Sequence, residues 1–243
     1  MDETVALQRI KEILKAYPRV VFLGGAGVST ASGIPDFRSP QGLATLDTKY
    51  GIPYEILLSH SYFLSRPGTF YDFYWKSMVK LDAKPNKAHL ALARYELEGH
   101  PITILTQNID GLHSAAGSRK VYELHGSVRN YSCLSCGRSY ELTNLYPRGV
   151  PHCACGGLIK PDVVLYEESL NEDTILHAVE ALREAEVLIV GGTSLKVYPA
   201  AGLIDYFGGR TSILINREMT PRDAFFDYVI HDDVGTVLTE IMP

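Results

Sequence analysis

Apolar residues fall along this chain in two alternating rhythms. Short aliphatic and β-branched runs, Val20–Leu23, Ile102–Leu105, Val187–Val190, Ser212–Ile215 and Tyr228–Ile230, are bounded by turn residues. Continuous apolar runs of this kind mark strands covered on both faces in a parallel sheet. Between them apolar positions recur at helical spacing, which predicts helices over Val5–Ala16, from about Lys87 to Glu98, over Glu172–Glu184 and in the last turns, Val234–Ile241. Asn86 is placed to cap the second helix and Gly99 to stop it. Strands alternating with helices predict an α/β fold, a doubly wound parallel sheet.

Two stretches break the rhythm. Ser39 to about Lys84 is rich in Tyr and Phe, helical in pattern and without a strand signal; Arg129–Lys160 carries turns and short polar runs. Both read as insertions that build a small domain from a helical module (39–84) and a second module (129–160). The large domain is then expected over 1–38, 85–128 and 161–243. A ligand is expected between the two, at the strand C-termini.

Composition adds exclusions. With 23 Lys+Arg against 28 Asp+Glu the net charge is −5, and 46% of residues are hydrophobic, which excludes a disordered or fibrous chain. Mild acidity provides no basic stripe for nucleic acid. The start, MDETVALQRIKEILK, has neither the basic opening nor the apolar stretch of a signal peptide, and no run reaches the length of a membrane helix. A cytoplasmic monomer is expected.

The four cysteines, Cys133, Cys136, Cys153 and Cys155, lie close together in the second insertion. Two close pairs suit a tetrahedral zinc ion, and four thiolates close the site, so the metal would be structural. Incidental thiols or a redox pair are the alternative. Cys-x-Cys in the second pair is accommodated by the turn at Gly156 and Gly157.

Polar clusters end the predicted strands. Val20–Leu23 runs into Gly24-Gly25-Ala26-Gly27-Val28-Ser29-Thr30, where glycines admit a pyrophosphate and a following helix N-terminus would favour its charge. Thr30 stands where the dinucleotide fingerprint needs its third glycine, and the usual acidic residue is missing, so a tight strand-to-helix turn remains the alternative. Asp36, Phe37 and Arg38 follow on a proline-stiffened loop. Thr106-Gln107-Asn108-Ile109-Asp110, Glu123-Leu124-His125-Gly126, Gly191-Gly192-Thr193-Ser194 and Asn216 close other strands or stand near their ends. Helix capping by Asp110, a core role for His125 and turn formation by Thr193 and Ser194 would each explain one cluster, but not all together.

GAGVSTASGIPDFR, TQNIDGLH, ELHG, the cysteine clip and GTSLKVYPA occur here in the order found in sirtuins, and the match spans about Val20 to Val234. The chain therefore resembles the NAD-dependent protein deacylases. That resemblance implies a Rossmann-like domain beside a small domain of helical and zinc modules. It also implies removal of acetyl groups from protein lysines, yielding nicotinamide, O-acetyl-ADP-ribose and free lysine, with one structural Zn2+. The acyl oxygen would attack the ribose as nicotinamide leaves, and His125 would act as general base through the ribose hydroxyls on the resulting alkylimidate. Asn108 would position a ribose hydroxyl or water, Ile109 and Asp110 would hold the nicotinamide amide, and Phe37 would exclude water. Ala26, Gly27 and Thr30 would line the pyrophosphate near Arg38. Gln107 would contact ribose, Thr193 and Ser194 phosphate or the adenine-side ribose, Asn216 the adenosine ribose, and Asp233 and Val234 the adenine.

An acetyl-lysine peptide would add a strand at Val163, Val164, Leu165 and Tyr166 and near Val197. Tyr166-Glu167-Glu168 replaces the family's Phe-Gly-Glu, putting a carboxylate where glycine is usual, either a selector for basic peptides or a solvated surface charge. Succinyl-preferring sirtuins carry Tyr-x-x-Arg in the helical module; here Tyr74 aligns with the tyrosine and Ser77 with the arginine. Rival readings are mono-ADP-ribosyl transfer, an NAD-dependent oxidoreductase and a zinc-ribbon binding protein.

Overall fold

The computed structural model describes residues 3–36 and 50–242. Helix α1 (Glu3–Ala16) leads to β1 (Val20–Gly24), and α2 (Tyr54–Leu57), α3 (His60–Ser65) and α4 (Pro67–Ser77) form the helical module. The chain returns through α5 (Lys87–Leu97), β2 (Ile102–Thr106), α6 (Leu112–Ala116) and β3 (Val121–Glu123). It leaves again through β4 (Gly126–Cys133), β5 (Ser139–Glu141), α7 (Leu142–Leu145) and β6 (Ile159–Val163). It closes with α8 (Glu172–Glu184), β7 (Val187–Gly191), β8 (Thr211–Ile215), β9 (Tyr228–Ile230) and α9 (Val234–Ile241).

Strands β3-β2-β1-β7-β8-β9 form one six-stranded sheet, and every pairing in it is parallel. Alternate residues face opposite sides. Val20, Phe22, Ile102, Ile104, Val187 and Ile189 pack under α1, α5 and α9, whereas Val21, Leu23, Leu105, Leu188 and Val190 pack under α8 and the 3-10 helix Ala200–Tyr206. Helices on both sides explain why the strands read as unbroken apolar runs. Chain order reverses between β1 and β7, so the crevice at Gly24 and Gly191, paired in register, is the topological switch point. No helix among the described residues is long and apolar enough to cross a membrane.

The predicted helix over Glu172–Glu184 has those bounds, capped by Asn171. The Asn86 cap also forms: its Oδ1 accepts from Ala88 N–H at 2.9 Å and its N–H donates to His89 Nδ1 at 3.2 Å. Its Nδ2 reaches Val28 C=O at 2.8 Å, tying α5 to the glycine-rich turn. Strand β3 escapes sequence reading because its three residues are only half-buried at the sheet edge.

The small domain has its own three-stranded sheet, order β5-β4-β6, whose β4 starts at Gly126 and whose β6 runs on to Val163, across the expected boundaries. One aromatic core joins both modules: Phe63, Phe70, Tyr71, Phe73 and Tyr74 of the helices pack with Tyr131, Cys133, Cys153 and Ile159. Trp75 donates Nε1–H to Gly149 C=O at 2.8 Å across the same boundary.

Candidate active site at the ends of the parallel strands

Because all six strands run the same way, the segments that follow them gather at one edge. Gln107 N–H donates to Gly24 C=O at 2.9 Å, and Leu124 N–H to Thr106 C=O at 2.8 Å, extending the ladder into the loops. On that frame Asn108 Nδ2 donates to Ser29 Oγ at 2.9 Å, and Ser29 Oγ donates to Asp110 Oδ2 at 2.7 Å. Asp110 Oδ1 accepts from Leu112 N–H at 2.8 Å, so Asp110 holds the first residue of α6, whose N-cap is Gly111, as well as belonging to the cluster. Ser29 is buried at 1% exposure and had no role assigned from sequence. Its one signal there was a hydroxyl just past the glycine-rich turn.

His125 has the tautomer a base requires. Its Nδ1 lies 2.9 Å from Gln107 C=O, which can only accept, so Nδ1 carries the hydrogen and Nε2 keeps its lone pair. Burial lowers the His125 pKa, against an upward pull from that carbonyl, favouring neutral imidazole. Glu123 is pushed up by burial and by Asp110, against Arg129 and Ser127. Gly126, next to His125, has φ 74°, and a Cβ there would lie 2.0 Å from Asp162 O, so only glycine lets β4 cross β6 at this point.

The glycine-rich turn differs from expectation. Among the described residues up to 36 no α-helix follows it; two 3-10 turns, Ala26–Val28 and Thr30–Ser32, stand in its place. Gly33 (φ 79°) and Pro35 break the chain before a helix can propagate. The glycines serve loop packing: Gly25 N–H donates to Gly191 C=O at 3.1 Å and Gly27 N–H to Gly192 C=O at 2.8 Å. A Cβ on Gly25 would lie 2.6 Å from Thr193 Cβ, and one on Gly192 2.5 Å from Val28 N. Ala26, Gly27 and Thr30 remain half-buried at the crevice, with the Thr30 hydroxyl donating to Gly27 C=O at 3.0 Å.

Thr193 Oγ1 accepts from Gln107 Nε2 at 3.3 Å, and half-buried Ser194 stands beside it. Asn216 follows β8 with its Nδ2 donating to Glu218 C=O at 2.6 Å. Asp233 caps α9, accepting from Thr236 N–H at 2.9 Å, and pairs with Arg217 at 2.8 Å. The Val234 side chain is in the core, leaving only main chain to offer a cofactor. Phe37 and Arg38 lie outside the described residues.

At the proposed peptide edge, Val164 N–H donates to His125 C=O at 2.9 Å, bringing this segment beside the histidine. Val163 and Leu165 turn their side chains into the small-domain core, while Tyr166 and Val197 are exposed. The Glu167 carboxylate is exposed, and Ser61 N–H and Oγ donate to it at 2.9 and 3.0 Å.

The four cysteine sulfurs lie within 4.8 Å of one another, with Cys133–Cys155 at 3.5 Å and Cys136–Cys153 at 3.7 Å. Zn–S bonds of about 2.3 Å give tetrahedral edges of about 3.8 Å, so the donor set fits zinc. The Cys155 N–H, then the Tyr140 hydroxyl, hold the Cys153 thiol at about 6. Gly157 N–H pulls Cys155 down, but its three sulfur neighbours outweigh it and push it up to about 12; a dication removes that conflict. A Cβ on Gly157 would lie 2.6 Å from Cys133 Sγ, so that glycine makes room for the sulfur.

Two further histidines lie buried under the site. His89 and His113 have ring centroids 4.6 Å apart; burial holds His89 at about 4, against Asp110, and His113 at about 3, with His89 adding to the depression. Both folded values lie below the unfolded value of about 6.5, so the stability they contribute is complete above that pH and is lost on acidification. Urea unfolding is expected to show stability falling from pH 7 to 5 by up to ~1.4 kcal/mol per pH unit per histidine, and His113→Leu flattens the slope. Equal slopes in both proteins would rule out a buried neutral His113.

Comparison with known proteins agrees with this architecture. The family model described as Sir2 family matches residues 25–199. An NAD-dependent protein deacetylase of Clostridium perfringens is 50% identical, with 100% of both chains covered. One of Clostridium acetobutylicum is 49% identical over 97% of this chain and 98% of its own. Among solved structures, a Sir2–p53 peptide–NAD+ complex superposes with TM-score 0.83 at 36% identity, covering 100% of this chain and 97% of its own. Sir2Tm bound to a propionylated peptide gives 0.84 at 36% identity, covering 97% of each chain. Family match, full-length relatives and shared fold coincide on the same residues, and the chain belongs to the Sir2 family.

Proposed function

We infer that the site around His125 removes acetyl groups from protein lysines. The chain is an NAD-dependent protein deacetylase, and its four cysteines suit a structural zinc. The observation that carries the mechanism is the bare Nε2 of His125, beside the crevice that holds the Ser29, Asn108 and Asp110 cluster. Bound NAD would supply a ribose carbon activated by its bond to nicotinamide; that bond would break with release of nicotinamide, and the ADP-ribose part would accept the acetyl group.

In this reading Ala26, Gly27 and Thr30 line the pyrophosphate, with Gln107, Thr193 and Ser194 opposite. Asn216, Asp233 and Val234 border the adenosine end, and Phe37 and Arg38 complete the site. Asn108, held through Nδ2 by Ser29, keeps Oδ1 to orient a ribose hydroxyl or water. Ile109 and Asp110 hold the nicotinamide amide. His125 Nε2 accepts a proton from the ribose hydroxyls. The partner is an acetyl-lysine peptide at Val163–Tyr166 and Val197, without nucleic acid or membrane, and the enzyme acts as a cytoplasmic monomer.

Mass spectrometry of all products from NAD and an acetyl-lysine peptide tests this. Nicotinamide, O-acetyl-ADP-ribose and free lysine are expected in equal amounts; ADP-ribosylated protein or reduced cofactor would favour a rival chemistry.

Acetyl is also expected to be preferred over succinyl. Tyr74 is fully buried against Phe70, Trp75 and Tyr131, Ser77 is buried, and Lys76 points outward to pair with Asp72. No guanidinium on α4 is available for a bidentate pair with an acyl carboxylate. Burying that carboxylate without one costs on the order of 2–5 kcal/mol. Comparing kcat/KM on acetyl and succinyl forms of one peptide decides it, and equal turnover would refute the argument.

A further inference from the structure

Among the described residues two non-glycine residues have left-handed backbones, Glu167 (φ 76°) and Leu195 (φ 52°), and each lies within two residues of a position assigned above to the peptide. Such backbones persist only where the surroundings hold them. At Glu167 the hold is visible. Its carboxylate accepts from Ser61 N–H at 2.9 Å and Ser61 Oγ at 3.0 Å, at the start of α3. The flanks are pinned too. Tyr166 N–H donates to Leu58 C=O, and Tyr166 C=O accepts from His60 N–H, both at 3.0 Å. Glu168 accepts from Leu165 N–H at 2.9 Å and pairs with His60 at 2.7 Å and Lys160 at 3.0 Å. Tyr166 therefore has no main-chain donor left for a peptide. Among the described residues the N–H and C=O of Glu167 make no hydrogen bond.

We propose that Glu167 is a positioning residue for the acetylated peptide: its carboxylate, latched to Ser61, fixes its left-handed backbone so that its N–H and C=O form an edge for the peptide main chain. This rests on the deacetylase reading above. It makes recognition at this position one of backbone, independent of charge on the peptide.

The test measures KM and the anisotropy Kd for acetyl-lysine peptides with neutral or basic flanks. Glu167→Ala is expected to raise both by about 5- to 20-fold for either peptide, with KM rising more than kcat falls. Glu167→Gly, which accepts a left-handed backbone without strain but lacks the latch, should behave alike. Ser61→Ala should weaken binding, and the double variant Ser61→Ala/Glu167→Ala should be no worse than Glu167→Ala. Wild-type binding by Glu167→Gly, additive effects in the double variant, or a loss confined to basic peptides would overturn the latch while leaving the deacetylase reading intact. A wild-type chain that turns over no acetyl-lysine peptide would overturn that reading and the latch with it.

Discussion

Replacing His125 by alanine is expected to lower kcat for deacetylation by about 10²- to 10⁴-fold, the range for loss of a positioned general base. The protein should stay folded. Among the described residues the ring makes one hydrogen bond, to Gln107 C=O, and leaving that carbonyl without its partner costs about 1–3 kcal/mol at most. Binding of NAD should change much less than turnover, because the cluster of Ser29, Asn108 and Asp110 does not depend on the imidazole. The pH dependence has a definite sign. Burial lowers the histidine's pKa, so the neutral base predominates at pH 7 and the rate falls only as pH drops through a value below the ordinary 6.5 or so. A folded His125→Ala protein with near-wild-type kcat would show that another group moves the proton.

Loss of the metal clip should have the second largest effect. Cys133 and Cys153 are buried in the aromatic core of the small domain, so metal-binding energy is also folding energy there. Cys153→Ala, or chelation of the wild-type protein, is expected to remove the zinc and lower Tm by about 10 °C or more. Activity should fall as well, although no sulfur belongs to the histidine site. The β4 strand carries Cys133 at one end and Gly126 at the other, directly after His125. Trp75, the only tryptophan, donates to Gly149 beside the clip, so its fluorescence should shift to the red as metal is withdrawn. Metal analysis, a thermal melt and that emission spectrum check the claim together. A metal-free protein of full stability and activity would disprove it.

Sequence by itself determined what depends on neighbours in the chain. Strands covered on both faces must be apolar at every position, so Val20–Leu23 and Val187–Val190 were legible; so were the cap at Asn86 and the helix over Glu172–Glu184, whose signals lie within a few residues. The cysteine clip was legible because its ligand spacing is covalent. Tertiary structure decided everything that joins distant segments. The Ser29–Asp110 bond links residues 81 apart, and the Ser61–Glu167 bonds residues 106 apart; no local pattern encodes either. The same holds for the glycines, whose need for space comes from facing backbones, Gly192 against Gly27 and Asp162 against Gly126. It holds for the carboxylate of Glu167, for which the sequence left a selector of basic peptides and a solvated charge open, and whose partner Ser61 is supplied by α3. Hydrophobic periodicity reports which side of an element is buried, whereas the partner of a polar group is set only when two elements meet.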